Sequence, residues 1–211
     1  MSQLLRPGVA MQPSAASAAF GNRLVARRST AASVAAMKNV MDDKVPLPRY
    51  AEVQWGEQKT LIASTDVRSG SEVYSVPRLP MFLRPEPDRH SVQTGSFEHL
   101  DFARALPAAS LTHHECDPNG DLEIRADAAV FVARHDIAAG EILSFDYNTT
   151  EWEMSSPFEC RCGSDTCVGT VAGFKLLPLA RRAAIAPRCS PAVRELAVQE
   201  GLWPLHSVDA S

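Results

Sequence analysis

Alternating apolar and polar positions predict short strands over most of the chain between residues 45 and 175. β-branched and aromatic residues, separated by Gly, Pro and Asp, favour strands there. The predicted strands cover residues 51–55, 59–63, 72–76, 90–94, 98–102, 122–125, 130–133 and 141–145. After Pro178 the spacing becomes helical, over 179–185 and 191–200, and Gly201 ends the second helix. The pattern predicts a mainly β chain with minor α, of the α+β class.

A short sequence repeat joins two of the predicted turns. Ala63-x-x-Asp66-Val67-x-x-Gly70 is echoed by residues 133–140, which read Ala-x-x-Asp-Ile-x-x-Gly. Asp and Gly supply turn chemistry, and the apolar residue between them anchors a loop. A shared turn geometry and a chance match both explain so short an echo.

The first 41 residues differ in composition from the rest. They hold five basic residues, no acidic residue, ten alanines and five serines. A basic, acid-free, Ala/Ser-rich stretch is typical of an organelle transit peptide, and a disordered tail is the alternative. The predicted location is a plastid or a mitochondrion, with the nucleus as the alternative if the stretch is only a tail.

The body of the chain is acidic. Five of the 21 basic residues lie in the first 41 positions, so the remaining 16 face all 25 acidic residues, a balance of −9. This balance disfavours direct nucleic-acid binding, which needs a basic face. It is compatible with a cationic peptide partner, although solubility alone also explains it. No apolar run approaches the roughly 20 residues of a membrane-spanning helix, so no membrane partner is predicted.

Four of the five cysteines are spaced like a metal site. Cys160, Cys162 and Cys167 form a C-x-C-x4-C cluster, and Cys116 lies upstream. Four thiolates satisfy tetrahedral Zn²⁺ and leave no open position, so the predicted zinc is structural. Cys189 remains unassigned.

Three segments carry a resemblance to a known family. Residues 114–119 (HECDPN) resemble the N-H-S-C-x-P-N motif of SET-domain protein-lysine methyltransferases. Residues 136–147 (DIAAGEILSFDY) resemble that family's R-D-I-x-x-G-E-E-L-T-F-D-Y segment, and residues 158–169 resemble its post-SET zinc-binding segment. Composition, spacing and this resemblance together divide the chain into a transit peptide or tail (1–41), a SET-like domain (45–150), a post-SET zinc segment (151–177) and a helical C-terminal tail (178–211).

The resemblance implies a fold, a reaction and a set of site residues. The fold is a SET-type β-clip with a pseudoknot, in which the C-terminal segment passes through an earlier loop. The reaction uses S-adenosyl-L-methionine as methyl donor and a protein lysine as acceptor. The implied catalytic residue is Tyr147, and the implied cofactor-binding residues are His113, His114, Gly56, Leu61 and Phe158.

Two departures from the family pattern affect the predicted cofactor site. His113 stands where the family has asparagine, and the family's G-x-G loop keeps only Gly56, with Thr60 in place of another glycine. A Cβ at that position would crowd a ligand that approaches the backbone. The alternative function is therefore an inactive SET-fold zinc-binding protein that acts as an interaction module. A zinc protein of another fold would require ligands that exclude Cys116.

Tyr147 is predicted to orient the acceptor amine. Methyl transfer from a sulfonium to an amine is an in-line displacement, in which positioning supplies much of the rate. A phenol with a pKa near its ordinary value of about 10 is a poor base at pH 7, so orientation is assigned before proton removal. The non-catalytic alternatives are that Tyr147 caps a strand end and that Phe158 belongs to the core.

Overall fold

The structure is a computed structural model that describes residues 50–54 and 59–204. Strands are the commonest regular structure among these residues, in agreement with the predicted fold class. The strands are β1 (Ala51–Gln54), β2 (Thr60–Ala63), β3 (Glu72–Pro77), β4 (Leu83–Arg84), β5 (Ser91–Gly95), β6 (Glu98–Asp101), β7 (His113–His114), β8 (Gly120–Ile124), β9 (Ala128–Ala133), β10 (Ser144–Phe145), β11 (Phe158–Glu159) and β12 (Thr170–Val171). The first 41 residues and Gly56 lie outside the described residues.

Within the described residues, three short α-helices accompany the strands: α1 (Phe102–Ala105), α2 (Leu179–Ile185) and α3 (Pro191–Gln199). The two C-terminal helices match the predicted ones to within one residue. Ser190 caps α3, because its side chain accepts a hydrogen bond from the Val193 backbone N–H at 3.2 Å. Helix α1 was not predicted. In the described part of the chain, no helix has the length and apolar character to cross a membrane.

The strands form small sheets. Two are three-stranded and antiparallel, with the orders β3-β9-β8 and β4-β6-β5. The antiparallel pairs β1-β2 and β11-β12 are separate, and β7 pairs with β10 in parallel. The predicted strand 141–145 is regular only at Ser144–Phe145, because the preceding residues make isolated contacts to β2, including a bridge between Ile142 and Ile62.

The two copies of the sequence repeat pair with each other. Val67 and Ile137 exchange both backbone hydrogen bonds, each with an N···O distance of 2.8 Å. Asp66 accepts from the Ala139 N–H, and Asp136 accepts from the Ser69 N–H. The two turns therefore hydrogen-bond to each other, and this pairing explains the sequence repeat better than turn chemistry alone.

Two hydrophobic clusters support the fold. The larger lies among the sheets, and its fully buried side chains include Leu61, Val76, Leu100, Phe102, Leu122, Phe131, Ile137 and Leu143. The smaller joins the C-terminal helices to the segment after β10 through Trp152, Phe174, Leu177, Ile185, Val193 and Ala197. The C-terminal helices are therefore packing elements, and Phe174 serves this second core.

The parallel pair β7-β10 brings two distant motifs together. Ser144 lies opposite His113 and Phe145 opposite His114. Tyr147 follows β10 directly, so its position is set by a pairing across about thirty residues of chain. This pairing of two distant segments is compatible with the predicted pseudoknot.

Candidate active site and zinc centre

The four predicted zinc ligands converge. Cys116 follows β7, and the other three thiols lie in the loop between β11 and β12. All four sulfur atoms lie within 4.8 Å of one another, and the Cys116 and Cys160 sulfurs are 3.9 Å apart. Tetrahedral zinc with Zn–S bonds of about 2.3 Å requires S···S distances of about 3.8 Å, so the cluster fits the ion. Cys189 is not part of this group; its thiol lies 3.5 Å from the Ile185 carbonyl.

His114 connects the thiol cluster to the tyrosine. Its Nδ1 accepts a hydrogen bond from the Tyr147 backbone N–H at 3.2 Å, so its proton is on Nε2, which lies 3.4 Å from the Cys116 sulfur. Burial lowers the pKa of His114 to about 4, against the opposing effect of Asp146. A neutral imidazole that donates to a ligand sulfur is a typical outer-sphere partner of a metal site.

Tyr147 begins a 3-10 helix directly after β10. Its hydroxyl donates to the Thr112 carbonyl at 2.5 Å, and its ring packs against Phe145 with centroids 4.7 Å apart. Burial raises the pKa of Tyr147 far above its ordinary value, with a smaller contribution from Glu151. The phenol therefore stays protonated at neutral pH, and its oxygen is left as an acceptor.

A buried ion pair fixes the residue before the tyrosine. The Asp146 side chain is fully buried, and its Oδ2 lies 2.7 Å from Nη2 of Arg181 in α2. The same guanidinium nitrogen donates to the Cys116 carbonyl at 2.5 Å. Helix α2 is thus bonded to the strand end that carries Tyr147 and to the loop that carries a zinc ligand.

A cavity of about 620 Å³ opens beside Tyr147. Its walls include four predicted site residues: His113, His114, Tyr147 and Phe158. The Phe158 ring is 38% exposed and meets the His114 ring edge-on at 5.7 Å, so it belongs to the cavity wall and not to the core. The volume lies within the range of small-molecule sites, about 300–1,000 Å³.

Of the predicted cofactor-binding residues Leu61 and Gly56, the structure describes only Leu61. The Leu61 side chain is fully buried in the main core and does not line the cavity, because it occupies an inward position of a strand packed on both sides. Its carbonyl accepts a hydrogen bond from the Leu143 N–H. Any contact of Leu61 with the cofactor would therefore involve its backbone N–H, and Gly56 lies outside the described residues.

The two departures from the family pattern touch each other. The Thr60 hydroxyl lies 3.4 Å from His113 Nε2. The bulkier side chains at both positions thus contact each other directly, a relationship that their separation along the chain did not reveal.

Several functional candidates carry no motif in the sequence. The cavity is also lined by residues 88–92, by Thr112 and by Glu151. Glu151 is 8% exposed, and burial raises its pKa to about 7. Arg181 lies in the helix predicted at residues 179–185, and the sequence pattern indicates only a packing role for that helix. Nothing in the sequence separates Glu151 from the nearby Glu153, since only the fold buries one and exposes the other.

Comparisons with known proteins agree with these observations. A family model for the SET domain matches residues 58–148. The methyltransferase flvH of Aspergillus flavus is 32% identical over 89 residues, which cover 42% of this chain and 48% of flvH. The chain thus spans about half the length of this relative.

Two solved structures resemble the chain more distantly. KRYPTONITE in complex with mCHG DNA and SAH shares 18% identity over 59% of this chain and 29% of its own, with a TM-score of 0.44. A candidate histone methyltransferase of Plasmodium falciparum shares 13% identity over 49% of this chain and 97% of its own, with a TM-score of 0.40. These low scores carry no weight in the assignment, which rests on the sequence matches. Residues 58–148 match the family model of the SET domain, so this part of the chain is a SET domain.

Proposed function

We propose that this protein is an S-adenosylmethionine-dependent methyltransferase that modifies the side chain of a lysine in a protein substrate. The observation that carries the proposal is the Tyr147 phenol at the wall of the cavity, with its proton committed to the Thr112 carbonyl. The SET-domain match over residues 58–148 and the similarity to a methyltransferase support it.

The cavity residues suit an adenosyl cofactor. Phe158 offers an exposed aromatic face, and His113 and His114 line the cavity beside it. When bound, S-adenosylmethionine supplies an electrophilic methyl group on a sulfonium centre. We assign His113, His114 and Phe158 to binding it.

Tyr147 orients the acceptor amine. Because the phenol proton is donated to a carbonyl, the oxygen lone pairs remain free to accept N–H and weak C–H contacts. Because burial keeps the phenol protonated, Tyr147 does not remove the proton. The lysine therefore reacts as a neutral amine, whose pKa a desolvated site lowers.

The zinc centre has a structural role. Four thiolates leave no coordination position for substrate or water. The ion would join the Cys116 loop, beside β7, to the β11-β12 hairpin that carries Phe158. We infer that zinc holds both walls of the cofactor cavity.

A labelled-methyl assay tests the proposal. Wild type should transfer label from S-adenosylmethionine to lysine-rich proteins, and Tyr147→Phe should lose at least nine-tenths of the rate, about tenfold or more. Tyr74→Phe is the matched control, because Tyr74 is also buried and bonds Thr112 but does not line the cavity. Equal rates for wild type and Tyr147→Phe would refute the assigned role.

The second candidate is an inactive SET-fold interaction module. The Thr60–His113 contact favours it, because it places two bulky side chains where the family has a glycine and an asparagine. Calorimetry with S-adenosylmethionine separates the two: the enzyme binds it, whereas the module shows no binding at millimolar concentration.

We also propose that the first 41 residues direct the protein to a plastid or mitochondrion, where its substrate would be an organelle protein. A fluorescent fusion of residues 1–45 checks this. A nuclear or diffuse signal would remove the organelle assignment.

A further inference from the structure

Glu151 is a buried carboxylate in the wall of the cavity. It lies four residues after Tyr147 and is 8% exposed. Its Oε1 accepts the Gln93 backbone N–H at 2.9 Å, and the Gln93 side chain in turn accepts the Trp152 N–H at 2.9 Å. Gln93 of β5 therefore bonds both the Glu151 side chain and the backbone of the next residue, Trp152, and this fixes the position of the carboxylate.

The charge of Glu151 has no evident structural purpose. Burying a carboxylate without a cation is unfavourable, and burial raises the pKa of Glu151 to about 7. None of the ion pairs found among the described residues includes Glu151. A glutamine would satisfy the Gln93 N–H equally well without that penalty.

The other charged groups of the cavity lie nearer its rim. Asp88 is paired with Arg84, and Arg89 and His90 are exposed. His113 and His114 line the same cavity, and burial keeps His114 neutral. Glu151 is therefore the buried acidic group that this cavity offers to a cation.

We propose that Glu151 binds an ammonium group inside the cavity. This inference rests on the proposed function, in which both reactants bring such a group from solution: the amino-acid portion of the methyl donor, and the acceptor lysine before it loses its proton and reacts as a neutral amine. A hydrogen-bonded carboxylate fixed by β5 forms a charge-assisted contact with an N–H donor. Stability sacrificed at a ligand-binding position is a recognised pattern in enzymes.

The test is calorimetry with wild type, Glu151→Gln and Glu153→Gln. The glutamine at 151 keeps the hydrogen bond to Gln93 but removes the charge, and Glu153 is the matched control because its side chain is 59% exposed. In the first arm the probes are S-adenosylhomocysteine and its analogue without the amino group. If Glu151 contacts the donor, Glu151→Gln should bind the first probe about 10-fold to 100-fold more weakly and the analogue unchanged.

The second arm examines the acceptor. N-acetyl-lysine methylamide and the matching norleucine compound are titrated into protein saturated with S-adenosylhomocysteine. If Glu151→Gln binds the lysine compound about tenfold or more weakly than wild type and binds the norleucine compound equally well, Glu151 contacts the acceptor. Glu151→Asp keeps the charge and should retain more affinity than Glu151→Gln in the affected arm.

Unchanged affinities in both arms, with wild type binding S-adenosylhomocysteine, would overturn the role of Glu151 alone. Failure of wild type to bind S-adenosylhomocysteine would overturn the proposed function, and this inference with it. Thermal unfolding of each variant shows that a lost affinity does not come from a lost fold.

Discussion

Removing one partner of the Arg181–Asp146 ion pair should strongly destabilise the protein. The carboxylate is fully buried, the arginine side chain is 12% exposed, and the charged atoms are 2.7 Å apart. With Arg181→Met, Asp146 Oδ2 would lose its cation, while Oδ1 would keep its bonds to Asn148. Removing one partner of a buried pair costs about 3–5 kcal/mol, because the other charge stays buried and unpaired.

Urea unfolding of the zinc-loaded protein, followed by circular dichroism, measures this loss. Arg125→Met is the control, since Arg125 pairs with Glu72 and Glu123 at the surface and its removal should leave stability nearly unchanged. The double variant Arg181→Met/Asp146→Asn should be less destabilised than the sum of the single variants. A loss below about 1 kcal/mol for Arg181→Met would refute the reasoning.

Three further predictions concern charge, metal and backbone. Burial raises the pKa of Glu151 from 4.5 to about 7, so the folded state holds this proton more tightly than the unfolded chain. The stability of wild type relative to Glu151→Gln should therefore fall by at most about 3 kcal/mol as the pH rises through this interval. Urea unfolding at pH 4 and pH 8 measures this change, and a stability difference that is the same at both pH values would contradict it. Cys160→Ser should release zinc, measured by metal analysis after dialysis, whereas Cys189→Ser should retain it; equal zinc content would exclude the four-thiolate site. Gly173→Ala should lower the free energy of unfolding by more than 1 kcal/mol, since φ is +103° and a Cβ would lie 2.6 Å from the Trp152 carbonyl; a neutral effect would contradict the tight packing there.

The strands and C-terminal helices could be predicted because their signals are local. Alternation and turn residues located most strands, and Pro191 with Gly201 bounded the last helix. The short strand β10 was overestimated, because its neighbours bond singly to β2 and do not continue the ladder. Helix α1 is four residues long and shows no periodicity that a sequence pattern could detect.

The site could be predicted only where a motif marks it. The thiols and Tyr147 lie in recognisable segments, and the structure brings the thiols together as expected. Glu151 and Arg181 depend on long-range folding: one is buried by β5, and the other reaches Asp146 from a helix 35 residues later in the chain. Neither the burial of Glu151 nor the target of Arg181 is visible in local sequence.

The central claim is that this chain transfers a methyl group to a lysine with the help of Tyr147. The most direct measurement is mass spectrometry of lysine-rich proteins incubated with S-adenosylmethionine and either wild type or Tyr147→Phe, at equal zinc content. Wild type should form methyl-lysine, and the variant should give a yield lower by about tenfold or more. Methyl-lysine formed equally by both proteins, or by neither, would contradict it.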